Sequence, residues 1–310
     1  MEFDFLLTLQ KVLVLFLLIV IGFIAGRVNL ISETGQKNIT ALVLNITMPA
    51  TIFMAMQLEM SEERIQTALT IVLIMVGLYL LMFLVGFLVT KPLKMTIAEK
   101  DVIRTALLLS NTSFMGYPMV SSLLGEEALF YAVIGAGFVF EIVSWTLGVY
   151  MVGRNSDTSV KLDFKKIILS PGILSITVGL IFFIFQIPLP EVADNLLNTL
   201  SPATSPLAMI VVGLILSRGN IKEAFANKVL YLGSFVKLLL VPVLAWFILS
   251  TLGFSGPQLV IPVIMISMPT ATYVAMFADN YNNNQKLASQ FVFMSSLLSI
   301  ITIPLVTLLF

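Results

Sequence analysis

Apolar stretches of about twenty residues, long enough to span a bilayer as helices, alternate along the chain with short polar connections. They run roughly from 5 to 26, 37 to 57, 66 to 90, 102 to 124, 128 to 152, 165 to 187, 194 to 217, 229 to 252, 258 to 278 and 286 to 309. Helix stops and turn formers mark their ends, among them Gly26, Lys91-Pro92, Gly125, Gly153, Pro188, Gly219, Gly256-Pro257 and Asn282-Asn283-Asn284. The pattern predicts an all-α integral membrane protein with ten transmembrane helices. These divide into five in residues 1–153, a short linker at 154–164, and five in residues 165–310.

The fourth and ninth stretches are interrupted. Ser110-Asn111-Thr112-Ser113-Phe114-Met115-Gly116-Tyr117-Pro118 and Ser267-Met268-Pro269-Thr270-Ala271 are polar, proline-bearing segments inside apolar surroundings. Such a segment breaks a membrane helix, and non-helical backbone at that depth is tolerated only where protein or a watery cavity surrounds it. A matched pair of breaks is the mark of a transporter binding site. A second proline pair supports the match: Pro206 follows Pro49 by 157 residues and Pro269 follows Pro118 by 151. Both offsets are close to half the chain, as a duplicated unit would give.

Apart from Arg64, every basic residue in a connection falls in an odd-numbered one. The positive-inside rule then makes those connections cytoplasmic and puts both termini outside a cell membrane. Because five is odd, the two halves insert in opposite senses, which makes them inverted repeats. The acidic start, Met1-Glu2-Phe3-Asp4, lacks the basic region of a signal peptide, so the first stretch reads as a retained span.

Composition narrows the chemistry. Hydrophobic residues make up 58% of the chain and charged residues 11%, against about 25% charged in soluble domains. With no Cys and no His, thiol catalysis, disulfides and ordinary zinc sites drop out, and no cofactor is expected. Zero formal net charge gives no reason to expect nucleic acid as a partner. The aspartates all fall at or beyond the ends of the apolar stretches, which leaves an intramembrane hydrolase almost no reagents. The chain reads as a transporter and not as an enzyme.

With these residues placed, the chain resembles the auxin efflux carrier family, the PIN-like transporters of plants and their bacterial and archaeal relatives. The resemblance rests on Asn45 to Pro49, on Asn111-Thr112-x-Phe114-x-Gly116-x-Pro118, on Pro206, and on Met268-Pro269 through Ala278-x-x-Tyr281. It implies that the fourth and ninth helices are broken and cross at the substrate site. It also implies that helices 1, 2, 6 and 7 form a scaffold and homodimer surface, against which helices 3–5 and 8–10 move as a bundle. The plant family's long central loop is missing here, which argues against auxin, and bacterial members suggest a mono- or dicarboxylate such as malate or malonate.

Candidate substrate ligands are Asn111, Thr112, Ser113, Gly116, Tyr117 and Pro118 at the first break, and Ser267, Pro269 and Thr270 at the second. Their alternative role is to satisfy backbone groups freed by the breaks. Asn45, Thr47, Pro49, Ser205 and Pro206 either line the opposite wall or support kinks in packed helices. Glu141 is the one carboxylate in the middle of a stretch. A charge there is costly unless paired or used, so it is the candidate proton carrier. Lys237, about nine residues into the eighth stretch, is a second coupling candidate that could pair with Glu141 or bind an anion; ordinarily such a lysine extends its stem toward the interface.

The function expected is secondary active transport of a small organic anion, and not ATP-driven transport by this chain itself, because nothing in it resembles a P-loop. Coupling to protons is expected. A sodium-coupled symporter of the bile-acid type, and a receptor or scaffold with degenerate transporter helices, remain as alternatives. The orientation has a direct test, since the chain carries no native Cys. An impermeant thiol reagent on intact cells should label Asn195→Cys and spare Ser159→Cys; the reverse pattern would invert the topology.

Overall fold

The computed structural model describes residues 5–154, 165, 168–219 and 221–310. The linker from 155 to 164, with Ser159, lies outside the described residues. Among those described, all regular structure is helical, joined by one isolated antiparallel bridge between Ser110 and Thr270. Apart from a six-residue helix at Ile221–Ala226, the helices in chain order are α1 (Phe5–Arg27), α2 (Glu33–Ala55), α3 (Glu62–Thr90), α4 (Ile97–Leu108), α5 (Tyr117–Leu124) and α6 (Glu126–Gly153). They continue with α7 (Pro171–Phe185), α8 (Glu191–Ser217), α9 (Lys228–Thr251), α10 (Pro257–Ser267), α11 (Tyr273–Asn280) and α12 (Gln285–Thr307). Seven of them, α1, α2, α3, α6, α8, α9 and α12, are long and apolar enough to cross a membrane. The interrupted fourth stretch becomes α4 and α5, and the ninth becomes α10 and α11.

Several helices start a turn before the apolar pattern does, because their first turns are polar and capped. The Ser32 hydroxyl accepts from Gly35 N–H at the start of α2, and Ser61 accepts from Arg64 N–H at α3. Thr96 and Glu99 form a reciprocal capping box on α4.

Proline acts through the turn that precedes it. Wide π turns at Val43–Thr47, Thr112–Gly116 and Val236–Leu240 each end two residues before a proline: Pro49, Pro118 and Pro242. Proline lacks an N–H and its ring crowds the carbonyl four residues back, a conflict that a locally widened helix relieves. This corrects the expected role of Pro118. The helix is interrupted upstream, at Leu109 (φ −94°, ψ 110°) and Asn111 (φ −74°, ψ 68°), while Pro118 sits in the first turn of α5.

Two sets of helices emerge from the packing. In one, α1 lies along the C-terminal half of α8, and α2 packs on α7. In the other, α3 packs on α4, α6 and α10, while α12 packs on α4, α9 and α11. The α1–α8 contact is close because glycines face backbone. A Cβ added at Gly213 would lie 2.0 Å from Ile19 O, and one at Gly22 would lie 2.2 Å from Ile210 O. Gly26, four residues after Gly22, faces the small side chain of Ser217, so this is a small-xxx-small membrane contact. Within the second set, Gly135 abuts Ile71 and Gly137 abuts the Tyr117 hydroxyl, whereas Gly77 has nothing within 4 Å.

These contacts predict that Gly22→Ala and Gly213→Ala each destabilise the protein by about 1–3 kcal/mol, the usual cost of overpacking. Gly77→Ala should cost nothing. Thermal unfolding of the three variants in detergent checks the contrast.

Candidate functional site

The two interrupted segments meet and complete each other's hydrogen bonding. Asn111 N–H donates to Pro269 O at 2.7 Å, and Ala271 N–H donates to Leu109 O at 2.9 Å. Pro269 holds the residue before it extended, Met268 having φ −63° and ψ 148°. That conformation presents the strand-like edge the bridge requires. Side chains take most of the remaining helix-end groups. Thr270 Oγ1 donates to Ala106 O at 2.9 Å, Ser267 Oγ to Ile264 O at 2.7 Å, and Ser110 Oγ to Ile266 O at 3.3 Å. Thr270 N–H in turn donates to Ser295 Oγ on α12 at 3.1 Å.

Beside this junction lies a cavity of about 210 Å³. Its walls come from both helix sets: Asn45 and Pro49 of α2 and Ser170 and Gly172 at the start of α7 on one side, Glu141 and Trp145 of α6 with Tyr273 of α11 on the other. Ser113 and Tyr117, from the π turn and first turn of α5, complete it. Glu141 is buried on a short α segment, Phe138–Val143, between π turns at Ala132–Gly137 and Ser144–Gly148. Trp145 Nε1–H donates to its Oε2 at 3.1 Å and the Tyr273 hydroxyl to its Oε1 at 3.5 Å. Both donors are neutral, and Glu141 is the only carboxylate among the described lining residues.

The family model for membrane transport proteins matches residues 7–307. The chain belongs to this auxin efflux carrier-like family. It is 26% identical over 303 residues to an uncharacterized transporter of Methanocaldococcus jannaschii, covering 96% of this chain and 97% of that one. It is 28% identical over 308 residues to a Rhizobium meliloti protein named "Putative malonate transporter", covering 94% and 92%. Identity to the uncharacterized transporter YfdV of Escherichia coli K12 is 23% over 303 residues, with 93% of each chain covered. The family and these relatives are transporters and not enzymes, and this transporter is embedded in a membrane by several apolar helices.

The residues proposed from sequence divide into two groups. Asn45, Pro49, Ser113, Tyr117 and Glu141 come together around the cavity. Thr112, Ser267, Pro269 and Thr270 instead serve the junction through backbone and carbonyl hydrogen bonds. Gly116 faces Met265, whose Cε would lie 2.9 Å from an added Cβ. Thr47 is buried in α2, while Ser205 and Pro206 belong to α8 and do not line the cavity. Asn111 Nδ2 is buried without a hydrogen-bond partner among the described residues, an unusual state for an amide. Lys237 does not extend to the interface and does not pair with Glu141. It is fully buried, with Nζ on Leu107 O at 2.9 Å and Ser110 Oγ at 2.8 Å. Sequence reading passed over Trp145, although it lies one helical turn from Glu141 on the same face. It also passed over Ser170 and Gly172, which reach the cavity only through packing.

Removing the Thr270 hydroxyl should leave Ala106 O without its partner. Thr270→Val is therefore expected to destabilise the transporter by about 1–3 kcal/mol, measurable as a lower unfolding midpoint in detergent. An unchanged midpoint would mean the hydroxyl is dispensable to the junction.

Proposed function

We propose that the protein is a secondary active transporter of a small organic anion, a mono- or dicarboxylate of malonate size, coupled to protons through Glu141. The observation that carries this reading is a single buried carboxylate in a cavity shared by both helix sets, beside a junction of two broken helices. The Rhizobium meliloti relative supports the substrate class by its printed name.

The chemistry follows from the cavity walls. Short helical segments begin at the cavity, at the turn bearing Ser113 and at Tyr273, and helix starts present free N–H groups and partial positive charge to an anion. Ser113, Asn45 and Tyr117 add side-chain hydrogen-bonding groups. A substrate carboxylate and an ionised Glu141 repel each other in so small a site. Anion and proton therefore bind together, and the pair crosses with less net charge than the anion alone.

In this reading ten helices form two inverted five-helix repeats, residues 1–153 and 165–310, with α4–α5 and α10–α11 counted as one broken helix each. The α1, α2, α7 and α8 set is the scaffold and homodimer surface, and the remaining helices are the moving bundle. The cavity lies on the seam between the sets, where a rocking motion would open and close it. The basic connections favour a cell-membrane orientation with both termini outside.

Glu141→Gln tests the coupling, because it keeps shape and removes the titrating group. In proteoliposomes the variant should bind substrate measurably while net uptake loses its dependence on the pH gradient. An unchanged pH profile, or wild-type uptake that collapses without sodium, would overturn proton coupling through Glu141.

A further inference from the structure

A lysine with no acidic partner among the described residues, buried where two helices end, calls for an electrostatic explanation. Lys237 sits in the π turn Val236–Leu240 of α9 and is 0% exposed. Its Nζ donates to Leu107 O in the last turn of α4 and to Ser110 Oγ, and Ser110 Oγ donates onward to Ile266 O in the last turn of α10. The C-terminal ends of α4 and α10, helices of 12 and 11 residues, therefore converge on one side chain.

Each helix C-terminus carries roughly half a unit of negative charge on carbonyls that lack intrahelical partners. Two such ends held together amount to about one unit, away from water, where dipoles of like sign repel strongly. We infer that Lys237 is the counter-charge of the junction: a positioning residue whose ammonium holds the ends of α4 and α10 together and so fixes the breaks beside the cavity. The partial charges then separate across the junction. Lysine neutralises the converging C-termini, and the segments beginning at Ser113 and Tyr273 keep their positive ends for the anion. Only one direct carbonyl bond and one serine relay are needed, because Thr270 and Ser267 already serve Ala106 O and Ile264 O.

This role depends on junction geometry and not on the transport reading, so the deciding measurement is hydrogen exchange. The purified transporter is compared with Lys237→Met, Lys237→Gln and Lys237→Arg, each first checked for monodispersity. In the Met and Gln variants, amides of residues 109–116 and 267–273 should exchange about tenfold faster or more, as expected for losing a charged hydrogen bond. Lys237→Arg, which retains charge and donors, should recover most of the protection. Failure of the neutral variants to fold, with Lys237→Arg folding, would support the same conclusion. Exchange within about twofold of wild type in either neutral variant, or no advantage of Lys237→Arg over Lys237→Met, would overturn it in favour of a role in filling space. Uptake measured alongside should fall in the variants that lose protection; wild-type protein without uptake would count against the transport reading alone.

Discussion

Backbone that leaves the helix inside a bilayer must find its hydrogen bonds within the protein, and here two interrupted helices find them in each other. The pair of bonds from Asn111 to Pro269 and from Ala271 to Leu109 ties residues far apart in the chain into one antiparallel bridge. Everything near the cavity depends on this exchange. It lets α4 and α10 stop and α5 and α11 start again at a fixed place, so Ser113, Tyr117 and Tyr273 are presented from rigid segments.

Around the junction the polar side chains do structural service before any other. Ser110, Ser267, Thr270 and Ser295 each engage backbone groups, which explains why so polar a region is stable away from water. The cavity residues are of a different kind. Glu141 receives hydrogen bonds from Trp145 and Tyr273 and faces open space, so its environment can change with what enters. A rigid junction next to an acid that faces open space suits the proposed coupling of substrate to proton.

Mobility, where it is required, is favoured by the division of the packing. Glycine-mediated contact makes α1 and α8 a tightly joined pair, and the junction binds α4, α10 and α12 into a second unit. The cavity takes its walls from α2 and α7, on the side of the first set, and from α5, α6 and α11, on the side of the second. In the proposed transport cycle this seam would open while the hydrogen bonds that hold the breaks stay in place.

The sequence by itself determined the membrane setting, the helical class, the approximate position of the apolar helices and the location of both interruptions. Length, hydropathy and polar or proline-bearing segments are local properties, and in a bilayer they leave the backbone few alternatives. The mid-helix acid was legible for the same reason. Tertiary structure decided what each polar residue does. Thr270 and Ser113 look alike in sequence, yet one caps a carbonyl across the junction and the other faces the cavity. Lys237 looked able to reach the interface, but its neighbours bury it against the ends of two helices from elsewhere in the chain. Gly22 and Gly213 became a contact only when α1 met α8. Hydrogen-bond partners and cavity walls are set by which distant segments come together, and that information is not carried by any one stretch of sequence.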